Sequence, residues 1–335
     1  MHSGRSYKLT EFLMWTRRDI YILTVLAIIP TILYAGLDIK WVGITWVPVA
    51  LLGTAAAFIA GFRNNATYAR AWEARQIWGA IVNTSRSWGV MSRDFVSKPG
   101  ASSEELKQIH KDLVYRHIAW LTALRFQLRE KRTWENMDKS YNIEYLKYFT
   151  VDEWVNKLED ELKEYLSAEE FNYVLKKKNR ATQIIALQSA HLKRLADDGF
   201  IENNRYVELE LLLKDLYDSQ GKCERIKNYP YPRQFATINT LFIWLFIFMV
   251  PFGMVKEFDK LGNGMAWLTI PFSVIVMWVF TSLERVGEST ENPFEGSAND
   301  VPITALSRTI EIDLREMLDE TDLPAALQPV NSILT

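Results

Sequence analysis

Four stretches of this chain carry no charged side chain: residues 20–37, 45–62, 234–255 and 266–283. Each reaches the roughly 17 residues that a helix needs to cross a bilayer. In lipid every backbone N–H and C=O must be satisfied within the segment, which leaves helices or closed barrels. No segment alternates apolar and polar residues as a strand does, so the chain reads as an all-α integral membrane protein with four transmembrane helices. Pro30, Pro251 and Pro271 fall inside the runs, and membrane helices tolerate them.

Five segments follow. Residues 1–19 are a polar N-terminal piece and 20–62 a helical hairpin. Residues 63–233 form a large, charged domain of amphipathic helices. The third and fourth spans occupy 234–283, and a polar tail with one helix near 302–319 fills 284–335. Within the middle domain, helices are expected over 69–96, 105–130, 151–165, 167–177, 181–198 and 204–220. Ser102 and Ser103, ahead of Glu104 and Glu105, mark a helix start after a turn at Pro99-Gly100.

Of 39 lysines and arginines, only Lys40, Lys256 and Lys260 fall in the two short loops between spans. Arg17, Arg18, Arg63 and Arg233 sit directly at span ends. The positive-inside rule therefore puts both termini and the middle domain in the cytoplasm, of a multi-pass protein of the cell (inner) membrane. No small-residue cleavage site follows the first run, so no cleaved signal is expected. Trp41, Trp46 and Trp267 lie at ends of runs, where amphipathic rings favour the interface. A net charge of −2 offers no nucleic-acid footprint. The single Cys223 allows no internal disulfide, and four scattered histidines have no metal-ligand spacing.

The second run is unusual. Thr54, Phe58 and Phe62 recur every four residues and share one helix face. Gly53, Ala55, Ala56, Ala57, Ala60 and Gly61 fill the others, small enough for neighbouring helices to approach closely. Such a stripe is ordinarily core packing. In a ring of identical helices it would instead form three stacked rings around an axis.

Three motifs bear on that choice. The second run closes on Gly61-Phe62-Arg63-Asn64 and continues through Tyr68, Arg70, Glu73, Ala74, Arg75, Trp78 and Gly79. Gly221-Lys222-Cys223-Glu224-Arg225-Ile226 precedes the third run, and Asn292-Pro293-Phe294 follows the fourth. In this order the three blocks, spanning most of the chain, resemble the bestrophin family of ion channels. The resemblance implies a homopentamer conducting small monovalent ions, chloride-type anions favoured, with membrane lipid around it and no cofactor. It also implies that Thr54, Phe58 and Phe62 form the pore neck, and that Asn204 lies at a second, cytoplasmic aperture. Other members often carry a bulky aliphatic residue where Thr54 stands, so a hydroxyl ring is expected to wet more easily and leave closure to Phe58 and Phe62. Animal members gate with calcium through an acidic run after the Asn-Pro-Phe element. Only Glu295 and Asp300 follow it here, and calcium dependence is not expected.

The remaining polar residues favour no enzyme. His117 reads as a core histidine and His191 as a surface one. Glu73, between Arg70 and Arg75, reads as a helix-surface ion-pair partner or, in an assembly around an axis, equally as a tie between neighbouring subunits, and Asn203 or Asn204 equally as a cap of the helix that follows. The charge-free spans provide no buried ionisable group for proton coupling. A cation-conducting channel of the same fold, and a membrane-anchored scaffold whose soluble domain binds a partner, stay open.

Overall fold

A computed structural model describes residues 1–262 and 264–335; Asn263, in the loop expected between the third and fourth spans, lies outside them. In chain order the α-helices are α1 (Leu9–Thr31), α2 (Trp46–Asp94), α3 (Ser103–Arg129), α4 (Ser140–Tyr145), α5 (Asp152–Val155), α6 (Leu158–Leu162), α7 (Ala168–Leu175), α8 (Arg180–Asp197), α9 (Asn203–Asn228), α10 (Arg233–Asp259), α11 (Thr269–Glu291) and α12 (Ile303–Glu316). Among the described residues, four helical stretches are long and apolar enough to cross a membrane: Leu9–Gly36, Lys40–Asp94, Arg233–Asp259 and Met265–Glu291.

The chain divides into two compact units, one of Gly4–Arg70 and Pro230–Glu291, the other of Met1–Ser3, Ala71–Tyr229 and Asn292–Thr335. Helix α2 contributes to both, because it is a single helix of 49 residues. The switch from apolar to charged sequence at Arg63 changes what surrounds the helix but not its backbone. The stretch after it, residues 64–94, has five alanines and four arginines, good helix formers, and no proline.

In the first, apolar unit α1 packs along α11 and α10. It begins at Leu9, well ahead of the charge-free run, because Asp19 is buried in an ion pair with Arg285 of α11. Past Pro30, which has no N–H to donate, the helix widens into one π-type turn over Ile32–Gly36. Asp38, at φ 56°, then turns the chain toward α2. Leu23, Ala27, Val49, Ala56, Ala60, Ile243, Phe246 and Met277 form the centre of the bundle. The small residues of α2 do two things. Gly53, Ala56 and Ala60 are buried, and a Cβ on Gly53 would come within 2.6 Å of the Phe246 ring. Ala55, Ala57 and Gly61 are exposed instead.

In the second unit α3 is the central helix, packed against α8, α12 and α9. Ser102 Oγ accepts from Glu105 N at 3.1 Å and caps it, as the sequence implies. Trp78, Trp88 and Trp120 are fully buried. Trp88 Nε1 donates to Leu113 O (3.3 Å) and Trp120 Nε1 to Gln220 Oε1 (2.9 Å), so neither indole N–H is wasted. His117 is the core histidine expected: its Nε2 lies 2.9 Å from Ser85 Oγ, and burial pushes its pKa down to about 3. His191, expected at the surface, is half-buried. Its Nδ1 meets Arg116 Nη1 at 3.0 Å, and burial, then the charge of Arg116, lowers it to about 4. Cys223 is buried and burial raises its thiol pKa, which leaves it structural. Glu73 pairs across to Arg225 of α9 at 2.5 Å rather than along its own helix. The helix expected over 151–165 is broken into α5 and α6, because Arg125 reaches between them to both Glu153 and Glu161.

Close approach at Gly53 makes a direct test. Gly53→Val should destabilise the protein by about 1–3 kcal/mol, since the Phe246 ring cannot yield without moving α10. Gly221→Ala in α9, where nothing lies within 4 Å, should be neutral or stabilising by about 0.5–1 kcal/mol. Thermal unfolding of the purified variants in detergent reads both.

Candidate functional site

On α2 the stripe residues Thr54, Phe58 and Phe62 all point away from the packed face. Phe58 is 66% and Phe62 60% exposed, while Ala56 and Ala60 are buried on the opposite side. Val47 and Leu51 extend the same exposed face toward the helix start. The Phe58 and Phe62 rings touch edge to face, with centroids 4.5 Å apart at 83°. Thr54 Oγ1 donates to Ala50 O at 3.0 Å, a back-bond within its own helix. These side chains are therefore no part of this chain's own core. Gly53 decides which way they face: it presses that side of α2 against Phe246 and turns Thr54 and Phe58 outward.

Asn204 lies in the first turn of α9 and is exposed. It does not cap the helix, and neither does Asn203, because Glu202 occupies the cap position without a side-chain bond. Val207 and Leu211, also exposed, share its face of α9. Arg205 is committed elsewhere, 3.6 Å from Glu202 and 5.6 Å from the Phe95 ring. The stripe and Asn204 belong to different units.

Just below the stripe, the motif arginine and asparagine enter a buried polar cluster that sequence reasoning missed. Arg63 is 4% and Glu291 1% exposed. Glu291 Oε2 accepts from Arg63 Nη2 at 3.0 Å, its Oε1 lies 3.0 Å from Arg233 Nη1, and its backbone carbonyl accepts from Arg70 Nε at 3.1 Å. Glu284 sits 3.9 Å from Arg63 Nη1. Asn64 Nδ2 donates to Leu283 O at 3.1 Å. A Cβ at Gly287 would fall 2.4 Å from Asn64 Oδ1, so only glycine leaves room for that amide. Glu284, Gly287 and Glu291 are spaced by three and four residues, one face of α11. That spacing was visible in the sequence, but α11 was expected to end before it. Just beyond the charge-free runs the same helices carry buried ionisable groups: Asp19, Arg63, Glu284 and Glu291 are buried, each against an opposite charge.

The segment after Asn292-Pro293-Phe294 is held by the protein's own donors. Asp300 Oδ2 accepts from Arg129 Nη1 (2.8 Å) and Gly296 N (2.6 Å), and Oδ1 from Ser297 Oγ (2.6 Å). Glu295 Oε2 accepts from Asn136 N (2.9 Å) and Asn292 Nδ2 (3.1 Å), and among the described residues no cation lies within ion-pair distance of it. Burial, then the neighbouring Asp300 charge, pushes its pKa well above the ordinary 4.5. Beside it Glu135 and Lys227 form a buried pair, the first raised and the second lowered by burial.

Glu291→Gln should cost on the order of 3 kcal/mol or more, because Arg63 would remain buried without its main counter-charge. Arg63→Met with Glu291→Gln should lose less than the sum of the single changes, which a double-mutant cycle of unfolding midpoints measures. At Glu295 the folded protein holds a proton that the unfolded chain releases near pH 4.5. Stability therefore falls as pH rises through the raised folded value. Glu295→Gln, which cannot ionise, should be more stable than the parent at alkaline pH, and the gap should close below pH 4.5. Melting curves across pH check the sign.

Comparison with known proteins agrees with these motifs. The family model described as "Bacterial/Fungal Bestrophin protein" matches residues 15–316. A relative from Escherichia coli O157:H7, named voltage-dependent anion channel-forming protein YneE, is 30% identical over 296 residues, covering 88% of this chain and 83% of the relative. The Salmonella typhi protein of the same name is 30% identical over 309 residues, covering 92% and 88%. The crystal structure of a bacterial bestrophin homolog from Klebsiella pneumoniae superposes with a TM-score of 0.75 at 25% identity, covering 90% of this chain and 98% of that one. The chain belongs to the bacterial and fungal bestrophin family.

Proposed function

We propose that this protein is a homopentameric channel for small monovalent anions of the chloride type. The observation that carries the reading is the pair of exposed phenylalanines, Phe58 and Phe62, on a helix otherwise built for lipid or protein contact. A ring of five such helices stacks Thr54, Phe58 and Phe62 into an apolar neck. Narrow apolar rings stop ions by dewetting, without a charged barrier. A phenylalanine edge turned to the axis is partly positive and suits anions, though the neck alone does not set the sign. Relatives named as anion channel-forming proteins support the sign of the permeant ion. Asn204, with Val207 and Leu211 on its face of α9, supplies a second aperture. Residues 1–19, 63–233 and 284–335 lie in the cytoplasm, and 20–62 and 234–283 cross the inner membrane. Because Asp300 and Glu295 are already bonded to protein donors, gating does not call on calcium at that segment.

The test is current through purified protein in a planar bilayer under a chloride gradient. The reversal potential should move toward that of chloride, and a calcium chelator should leave the current unchanged. Phe58→Ala/Phe62→Ala should enlarge the current or keep the channel open longer, and Asn204→Asp should shift permeability toward cations. A reversal potential of the opposite sign would replace the anion reading with a cation channel of the same fold. If parent and well-folded double variant are both silent across voltage, the membrane-anchored scaffold becomes the better reading.

A further inference from the structure

Within the second unit a cleft of about 620 Å³ opens between the end of α3, α5, α6 and the loop that joins α7 to α8. That volume lies in the range of small-molecule sites, roughly 300–1,000 Å³. Phe126, Trp154 and Leu158 form its apolar wall. The Trp154 ring is fixed, since its Nε1 donates to Arg129 O at 3.0 Å.

The charges around the cleft do not balance. Its three carboxylates are each engaged: Glu130 by Arg132 at 3.1 Å, Glu159 by Arg180 at 3.5 Å, and Glu153 by Arg125 at 2.5 Å. Lys131, Lys177 and Lys178 line the same cleft, and among the described residues none has a carboxylate within ion-pair distance. Lys131 Nζ stands 4.7 Å from the Trp154 ring centroid, and Lys177 Nζ 4.5 Å from that of Tyr173. The N-terminus of α8, an 18-residue helix, adds positive potential at Arg180. Arg129, also lining the cleft, is 2% exposed, and among the described residues its Nε has no hydrogen-bond acceptor; Glu153 Oε2 is 3.8 Å away. Three unneutralised ammonium groups and a fixed aromatic wall meet in one cavity, with Arg129 among the residues that line it.

We infer that this cleft binds a small phosphate-bearing organic molecule, its phosphate among Lys131, Lys177 and Lys178 and its flat apolar body against Trp154 and Phe126. Phosphate suits the site because it spreads two negative charges over several acceptor oxygens, which one chloride cannot do. The inference does not depend on conduction.

Titration calorimetry on the full-length protein in detergent, at constant ionic strength, tests it with phenyl phosphate and inorganic phosphate as probes. Saturable binding of about one phenyl phosphate per chain is expected, with inorganic phosphate several-fold weaker for want of the ring. Lys131→Ala/Lys178→Ala should weaken both probes by about tenfold or more. Lys107→Ala/Lys193→Ala, which removes two exposed lysines elsewhere in the same unit, should leave binding unchanged. All four lysines are exposed, so neither pair is expected to disturb folding. Absence of saturable binding would overturn the assignment, and so would equal loss in the two double variants, which would mean nonspecific attraction to surface lysines.

Discussion

Glu291 is the fixed point of the apolar unit. One carboxylate and its own backbone carbonyl take donors from Arg63 and Arg70 of α2 and Arg233 of α10. A charge this deep is tolerable only with such compensation, since an isolated carboxylate in an apolar interior costs several kcal/mol. The ion pairs therefore add little net stability, but they punish any other arrangement. Slide α11 by one turn and Glu291, Glu284 and Arg63 lose their partners together. Arg285 with Asp19, and Trp278 Nε1 with Thr16 Oγ1 at 3.0 Å, hold α11 to α1 in the same way. In lipid, where apolar contact alone sets helix register weakly, polar pairs of this kind specify it.

How much of this was legible in the sequence depends on the range of the interaction. The four spans could be read because lipid leaves so few alternatives for an uncharged run. Helix α12 showed in the spacing of Ile303, Ile310 and Leu314, and the Ser102 cap in its neighbours, both local signals. The start of α1 at Leu9 could not be read, because Asp19 is buried only by virtue of Arg285 from the far end of the chain. The polar helical pattern that continues past Arg63 was legible, but that one unbroken helix carries both stretches was not, since a shift from apolar to charged residues gives no backbone signal either way. Arg125 breaks the segment over 151–165 by bridging from another helix, which no window of local propensity contains. Asn204 shows the converse case, a strong capping preference unused because the chain enters α9 one residue earlier than Asn203.

The stripe itself divides along the same line. Its four-residue spacing was plain, and so were the small residues around it. What spacing could not tell was which face of α2 meets the rest of the chain. That is decided by the fit of Gly53 against Phe246 and of Trp46 and Val49 against Gly253. Two glycines, one on each helix, thus choose the side on which the aromatics stand. The same geometry divides the small residues into those used inside the chain and those, such as Gly61, that stay open to a neighbour.

The back-bond at Thr54 has a consequence for the ions themselves. Its hydroxyl proton is given to Ala50 O, so what the side chain offers outward is a methyl group and oxygen lone pairs. An anion seeks hydrogen donors, and at this level of the proposed neck it finds none; the phenylalanines that follow have no hydroxyl or amide donor either. It must keep its water or exchange it for no more than the weakly positive edges of the aromatic rings. If the proposed neck carries anions, discrimination among them rests on the cost of dehydration, which favours large, weakly hydrated anions over small, strongly hydrated ones.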